Sequence, residues 1–232
     1  MDLIKGKRNP PWNLKEAFVA LLLVYLISNS VGFIVNSMIG SWSPLSQFTL
    51  ASLVQTAGIV LVVYYFAINK YQGTSKLLGF AQGKTGKYMA AGLGGGMLVL
   101  VAVMASSIIV ERIFSVPGEL QPFAQLVIES KGLPQLLLLF FLGVVLAPFG
   151  EELYFRGFLY PAIRARLGVP LAIFISAVVF SLLHFDLLRF IPLAVGGATL
   201  AWLYEKTDSL YVPIVAHGFW NFIMLLILII FK

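Results

Sequence analysis

The stretch AFVALLLVYLISNSVGFIVNSMIGSWSPLSQFTLASLVQTAGIVLVVYYFAIN, residues 17–69, contains no charged side chain. A helix that crosses a bilayer needs about 20 mostly apolar residues, so this stretch is long enough for two. The segment Ser41-Trp42-Ser43-Pro44 interrupts it with turn-forming residues. The sequence therefore predicts two transmembrane helices, at about residues 17–40 and 47–69. The first of these is too long for the apolar core of a cleavable signal peptide.

Five more apolar segments follow, at about residues 88–110, 133–167, 170–186, 190–204 and 209–231. Leu167-Gly168-Val169-Pro170 is a turn signal that separates the second of these from the third. The chain of 232 residues is 59% hydrophobic and only 11% charged, whereas soluble domains contain about 25% charged residues. These features predict an all-α fold, a polytopic membrane helix bundle of about seven or eight transmembrane helices.

Four glycines lie close together on the predicted third span, at Gly92, Gly94, Gly95 and Gly96. Glycine-rich segments also bind phosphate, but small side chains on a membrane helix more commonly let a neighbouring helix approach closely. We therefore expect this part of the helix to pack against another helix.

The absence of cysteine and the distribution of positive charge limit the possible functions. Without cysteine, a disulfide framework, thiolate metal ligands and a cysteine nucleophile are excluded. The net charge of +6 arises from basic residues between the apolar segments, which the positive-inside rule explains without a nucleic-acid partner. A cytoplasmic N-terminus places eleven of them inside and four outside, which predicts that orientation in a bacterial plasma membrane. The inner residues are Lys5, Lys7, Arg8, Lys15, Lys70, Lys76, Lys84, Lys87, Arg164, Arg166 and Lys206, and the outer ones are Arg112, Lys131, Arg189 and Lys232.

Three short clusters place polar side chains inside the C-terminal apolar segments. They are Pro148-Phe149-Gly150-Glu151-Glu152-Leu153-Tyr154-Phe155-Arg156, Phe180-Ser181-Leu182-Leu183-His184 and His217-Gly218-Phe219-Trp220-Asn221. They contain both histidines of the chain. Ionisable groups are costly inside a bilayer, so they usually face the interior of a bundle and mark a functional site.

Helix spacing predicts how the polar side chains of each cluster are arranged. Residues four apart share a helix face, so Glu152 and Arg156 can form a structural ion pair. Glu151 then points about 100° away and is free to face another direction. By the same spacing His217 and Asn221 converge on one ligand, and Phe180 packs beneath the ring of His184.

The turn near Gly168 predicts the depth of these residues. Glu151 lies 17 residues before Gly168 and His184 lies 16 after it, so an antiparallel helix pair places them at the same height. His217 follows the turn at 206–208 by only nine residues, a mismatch of roughly 10 Å at 1.5 Å per residue. The mismatch disappears if the tip of the pair, with Arg164 and Arg166, projects into the cytoplasm. We therefore expect one polar pocket, closer to the cytoplasm than to the outside.

The residue types in this pocket suit hydrolysis. A carboxylate can act as a general base toward water, and imidazole and carboxamide N–H groups can stabilise an oxyanion. Glu151, His184, His217 and Asn221 are therefore sufficient for amide hydrolysis without a serine, threonine or cysteine nucleophile. Alternatively, His184 and His217 with a glutamate could hold Zn²⁺, although the chain lacks the H-E-x-x-H signature.

At these clusters the sequence resembles the CAAX-processing and bacteriocin-processing (CPBP or Abi) family of intramembrane proteases. The family pattern is E-E-x-x-x-R, then F-x-x-x-H, then H-x-x-x-N. Here it reads Glu151-Glu152 with Arg156, Phe180 with His184, and His217 with Asn221. The three motifs occur in order, in apolar segments, and the chain departs from the pattern at none of the motif positions. The resemblance covers about residues 134–222, whereas residues 1–133 share only apolar spans with the family.

The resemblance implies an intramembrane endopeptidase in which Glu151 activates the catalytic water and His184 acts with it. It assigns His217 and Asn221 to stabilisation of the oxyanion. Supporting roles fall to Glu152, Arg156 and Phe180. Family names often include "metalloprotease", yet a metal-independent glutamate mechanism has been proposed, so Zn²⁺ remains an alternative. The implied partners are membrane lipid and a peptide or membrane-protein substrate, which in eukaryotic relatives is prenylated at a C-terminal CAAX sequence.

Two other functions are compatible with the same residues. A non-catalytic membrane scaffold or bacteriocin-immunity factor could use the same fold. A proton-coupled transporter would also place glutamate and histidine inside the membrane, although the spans show no inverted repeat. Under the protease interpretation we expect residues 1–133 to form N-terminal spans and loops, and residues 134–232 the CPBP-like catalytic core of one integral membrane domain.

Overall fold

The structure is a computed structural model that describes residues 9–39, 42–80, 85–114 and 120–231. These residues form helices and no strands, so the predicted all-α class is confirmed over them. The N-terminal half contains α1 (Leu14–Ile39), α2 (Pro44–Tyr64) with a π-helical continuation (Tyr65–Lys70), a 3-10 turn (Ser75–Leu78), α3 (Thr85–Phe114) and the short α4 (Pro122–Glu129). Several residues used in the predictions lie outside the described residues: Ser41, Lys5, Lys7, Arg8, Lys84 and Lys232.

The C-terminal half is a longer series of helical segments. It comprises α5 (Leu133–Phe140), a π-helix (Phe141–Leu146), α6 (Ala147–Glu152), a second π-helix (Leu153–Leu159), α7 (Tyr160–Leu182), α8 (Phe190–Thr207) and α9 (Tyr211–Ile230). Gly168 interrupts α7 with φ +77° and ψ 175°, a backbone conformation that favours glycine. Arg156, twelve residues before Gly168, and Phe180, twelve residues after it, both contact Gly197 of α8. The chain therefore reverses at Gly168, as the turn signal predicts.

This reversal settles the number of long helices in the described part of the chain. Five segments are long and apolar enough to cross a membrane: Leu14–Met38, Pro44–Lys70, Thr85–Phe114, Leu133–Leu182 and Tyr211–Ile230. The fourth spans 50 residues and contains Gly168, so it is two antiparallel helices. With the 18-residue α8, the bundle has seven long helices over the described residues, in agreement with the predicted seven or eight.

Glycines of α3 hold this helix close to α8 and α9. A Cβ atom on Gly92 would lie 2.5 Å from Val215, and one on Gly95 would lie 2.7 Å from Leu203. On Gly96 it would lie 2.9 Å from the carbonyl oxygen of Ala216. The predicted close helix contact is confirmed at these three glycines, whereas a Cβ on Gly94 would have nothing within 4 Å.

The first helices anchor the segment that carries the paired glutamates. The indole Nε1 of Trp12 donates a hydrogen bond of 2.9 Å to the carbonyl of Phe158, and the two rings stack at 4.7 Å. The hydroxyl of Tyr154 donates to the carbonyl of Ala17 at 2.9 Å. These buried contacts fix the height of the segment relative to α1.

Contacts at one end of the bundle explain the depth of the polar clusters. Arg164 of α7 pairs with Glu205 of α8 at 3.1 Å, and the Tyr160 hydroxyl donates to the same carboxylate at 2.8 Å. Arg164 is therefore level with the end of α8, and the tip at Gly168 projects beyond the turn between α8 and α9. The expected depth mismatch of His217 is removed in this way.

Candidate active site

The paired glutamates lie on a short α-helix between two π-helical segments. Pro148 has no N–H, so the carbonyl of Val144, four residues earlier, loses its α-helical donor. The π-helix at Phe141–Leu146 ends just before this proline. Interruptions of this kind are frequent at functional sites because they reorient side chains and free backbone groups.

Glu152 is completely buried and joins two helices. Its Oε1 accepts hydrogen bonds from Arg156 at 2.7 Å and from Nδ1 of His217 at 2.8 Å. Arg156 is also completely buried, and it donates a second hydrogen bond, of 2.8 Å, to the carbonyl of Gly197. The guanidinium lies 4.9 Å from the centre of the Phe180 ring. The predicted ion pair between Glu152 and Arg156 is present, and it also positions His217.

Glu151 has a different environment from its neighbour. Its side chain is 22% exposed, and its Oε2 lies 3.9 Å from Nε2 of His217. This oxygen is buried and has no hydrogen-bond partner among the described residues. His217 therefore lies between the two carboxylates, with one ring nitrogen toward each.

His184 lies just beyond α7 and joins the cluster through an aromatic ring. Its Nδ1 is 2.8 Å from the carbonyl of Phe180, which can only accept, so Nδ1 carries the proton. The Phe180 ring is 4.7 Å from the His184 ring and 6.0 Å from the His217 ring. The sequence predicts that Glu151 lies opposite His184, and in the described structure Glu151 Oε2 also lies 3.9 Å from Nε2 of His217.

Asn221 is held by the backbone of the π-helical segment. Its Nδ2 donates to the carbonyl of Gly143 at 2.8 Å. One turn earlier, the His217 ring stacks on Trp220 at 5.5 Å. His217 and Asn221 thus face the same neighbouring segment, as their spacing predicts, and Asn221 keeps one N–H and its Oδ1 for a ligand.

Sequence reasoning missed the glycine that lets α9 reach this site. A Cβ atom on Gly218 would lie 2.7 Å from the carbonyl oxygen of Val144, so only glycine allows this approach. Gly197 is similar, since a Cβ there would lie 3.2 Å from Phe180. The position of Gly218 directly after His217, together with Pro148, was the available signal.

The described residues do not fit a metal site. No group of three or more histidine, aspartate or glutamate side chains among them is arranged to hold a metal ion. A catalytic zinc requires about three protein ligands. The predicted zinc ligands, His184 and His217, have no third ligand grouped with them among the described residues, so no step is assigned to a metal and Zn²⁺ stays a prediction.

Comparison with known proteins gives a match over this part of the chain. Residues 133–223 match the family described as Type II CAAX prenyl endopeptidase Rce1-like. This segment is similar to that family. It includes all three motifs, so the predicted resemblance is confirmed over these residues. Together with the apolar helices, the match identifies the chain as an integral membrane protein.

A curated relative supports the same assignment over a limited length. "Putative membrane peptidase YdiL" of Bacillus subtilis (strain 168) is 32% identical over 84 residues. The aligned region covers 36% of this chain and 34% of that protein, so the chain spans about a third of the length of the relative. No solved structure gives a significant match to the chain.

Proposed function

We propose that the protein is an intramembrane endopeptidase of the CAAX protease type in which Glu151 activates the attacking water. The observation that carries this proposal is the unequal environment of the two neighbouring carboxylates. Glu152 is completely buried and bonded to Arg156 and His217, whereas Glu151 is partly exposed and has an unpaired oxygen. A general base must be reachable by the proton that it removes, which favours Glu151 over Glu152.

In this mechanism the water oxygen forms a bond to the peptide carbonyl carbon while its proton passes to Glu151. The carbonyl becomes an oxyanion. When the C–N bond breaks, Glu151 returns the proton to the leaving amine, so the carboxylate is regenerated. No covalent intermediate with the enzyme is needed.

In this proposal His217 stabilises the negative charge that develops on the carbonyl oxygen. Glu152 as a carboxylate can only accept hydrogen bonds, so Nδ1 of His217 donates to it. A second proton on Nε2 would then face Glu151 and the reacting carbonyl.

His184 and Asn221 complete the proposed site. With Nδ1 held by the Phe180 carbonyl, a neutral His184 presents Nε2 as an acceptor that can orient the water toward Glu151. The free N–H of Asn221 can donate to the oxyanion. Glu152, Arg156 and Phe180 position these groups without touching the substrate.

The excess of basic residues in alternate loops favours a cytoplasmic N-terminus in a bacterial plasma membrane. His217 lies six residues after the start of α9 and thirteen before its end, so this orientation places the site nearer the cytoplasm. The substrate class is a peptide or membrane protein, with or without a lipid group. Residues 134–232 form the catalytic core within this proposal.

The substitution Glu151→Gln tests the role of the general base. Wild-type protein and variants would be reconstituted in phospholipid vesicles with a set of membrane-embedded peptides, and new peptide termini would be measured by mass spectrometry. We expect cleavage to fall by about 10²–10⁴-fold, the usual contribution of a general base. The matched control is Glu111→Gln, an exposed glutamate on α3, which should cleave like wild type.

Three outcomes would contradict the proposal, two in this assay and one in a measurement of proton flux into the same vesicles. Cleavage by Glu151→Gln at the wild-type rate excludes the glutamate mechanism. Loss of wild-type cleavage with a chelator, restored by Zn²⁺, would support the zinc alternative. Proton flux that depends on Glu151, without any cleavage by wild type, would support a transporter.

A further inference from the structure

A cleft of about 920 Å³ opens between α1, α2 and the loop after α7. This volume lies within the range of about 300–1,000 Å³ that is common for ligand pockets. The walls are mostly apolar, but four carboxamide side chains line the cleft: Asn29, Asn36, Gln47 and Gln55. The two asparagines are seven residues apart on α1 and the two glutamines eight apart on α2, so each helix turns one polar face to the cleft.

The polar groups of the cleft are short of hydrogen-bond partners. Ser28 Oγ and Trp42 Nε1 are buried and have no partner among the described residues. Asn29 and Gln47 donate only to nearby backbone carbonyls, at 2.8 and 3.2 Å, which leaves their side-chain oxygens as acceptors. Carboxamides that face lipid hydrocarbon lose water without gaining a partner, which is costly. The cleft therefore suits an occupant that supplies both donors and acceptors.

One end of the cleft is lined by residues that lie close to the proposed active site. Leu183 and Phe185, on either side of His184, are both part of its wall. On the opposite wall, Gln55 precedes Thr56, and the Thr56 side chain would lie 3.1 Å from a Cβ atom on Gly150. Gly150 directly precedes Glu151. One wall of the cleft therefore ends beside His184. The other ends near Glu151, through the contact of Thr56 with Gly150.

We propose that this cleft binds the substrate as an extended peptide segment inside the membrane, with the four carboxamides bonded to its backbone. The inference rests on the proposed function and names the subsite and the substrate conformation. A helix hides its peptide bonds, and once it is unwound its N–H and C=O groups need partners because the bilayer supplies none. Each carboxamide offers a donor and an acceptor, and the apolar walls accommodate side chains. An acyl chain offers neither and would leave the carboxamides unsatisfied.

Disulfide crosslinking tests occupancy of the cleft independently of turnover. Because the chain has no cysteine, one introduced cysteine reports one position. The Glu151→Gln protein carrying Val54→Cys, in the cleft wall, would be mixed in vesicles with a synthetic membrane-spanning peptide of about 25 residues. The peptide has a single cysteine in a central Gly-Pro segment that weakens its helix. The matched control is Leu53→Cys, the preceding residue on α2, which is 45% exposed and outside the cleft wall.

We expect the peptide to crosslink to Val54→Cys and much less to Leu53→Cys. Equal crosslinking at both positions, or a preference for Leu53→Cys, would overturn the inference. Labelling of the cleft by a photoactivatable phospholipid, with no peptide crosslink, would make it a lipid site and would also overturn the inference. Neither result depends on whether the protein cleaves peptides.

Kinetics then distinguish this inference from the proposed function. Gln55→Leu and Asn36→Leu keep the size of the side chain but remove its hydrogen bonds. Loss of one such bond should raise KM about two- to tenfold with kcat unchanged, because it removes binding that the ground state and transition state share. Gln125→Leu on α4, outside the cleft, should leave both constants unchanged. Unchanged KM in the cleft variants, with cleavage still dependent on Glu151, would overturn the cleft and leave the proposed function standing.

Discussion

Two regions of the bundle differ in the polar groups that they contain and in whether those groups are bonded within the protein. Around α6 and α9 the ionisable groups are buried against one another: Glu152 with Arg156 and His217. Between α1 and α2 the polar groups are uncharged carboxamides that face an open cleft. In the first region the charged groups are bonded to one another, although Glu151 Oε2 has no partner among the described residues, whereas the groups of the second can bond to a molecule that enters. We infer that the first positions chemistry and the second receives substrate.

The same division follows the match to known proteins. The segment that matches the Rce1-like family, residues 133–223, contains the buried charges, while most of the cleft lies in α1 and α2, outside that segment. If both proposals hold, the catalytic groups lie in the segment that matches the family. Most of the substrate contacts then lie outside that segment, in α1 and α2. Variants that change one region at a time test this division of roles.

The largest effect is expected from Arg156→Met. This change leaves Glu152 as a buried carboxylate without its cation, which typically costs about 3–5 kcal/mol. We expect a strongly lowered midpoint of thermal unfolding in detergent, measured by circular dichroism. The exposed Arg166→Met on α7 is the control and should unfold near the wild-type midpoint.

A second variant separates buried charge from lost packing. Replacing both partners, as Glu152→Leu with Arg156→Met, removes the uncompensated charge and should recover part of the stability. If the double variant is as unstable as the single one, the loss comes from packing and not from electrostatics. In that case the first region is not distinguished by its ion pair.

A smaller effect is expected from Gly218→Ala. The added methyl would meet the Val144 carbonyl at 2.7 Å, so α9 must shift away and carry His217 with it. Overpacking of this kind costs about 1–3 kcal/mol, and cleavage should fall because His217 moves away from both glutamates. Gly94→Ala is the control, since its Cβ would have nothing within 4 Å. Equal stability and activity of the two variants would contradict the role of Gly218.

Features set by spacing within one helix were predictable from the sequence. The pair of Glu152 with Arg156 and the contact of Phe180 with His184 follow from a separation of four residues. The reversal at Gly168 follows from a glycine and a proline in an apolar segment. Each of these depends on local geometry alone.

The placement of His217 between two carboxylates was not predictable in this way. It depends on how far α9 approaches α6, which is set by Gly218 against Val144 and by the α3 glycines behind α9. It also depends on the π-helical segments, which rotate the glutamates away from a regular helical position. The cleft likewise lies between two helices, so no pattern within one helix predicts it.

The smallest effect is expected in the loop between the two regions, at Asp186. Burial tends to raise the pKa of Asp186, but hydrogen bonds from the backbone amide and guanidinium of Arg189 outweigh it and hold the pKa below its ordinary value. The folded state therefore binds this proton less readily than the unfolded state. The stabilisation is present above the unfolded pKa of about 3.9 and is lost as pH falls through the lower folded pKa.

Asp186→Asn should therefore lower the thermal midpoint slightly at pH 7, by less than about 1 kcal/mol in stability. The difference from wild type should shrink as the pH falls below about 4, because protonated Asp186 no longer pairs with Arg189. Asp208→Asn, at a left-handed residue that asparagine tolerates, is the control at the other end of α8. A difference that stays constant with pH would mean that Asp186 acts by shape and not by charge.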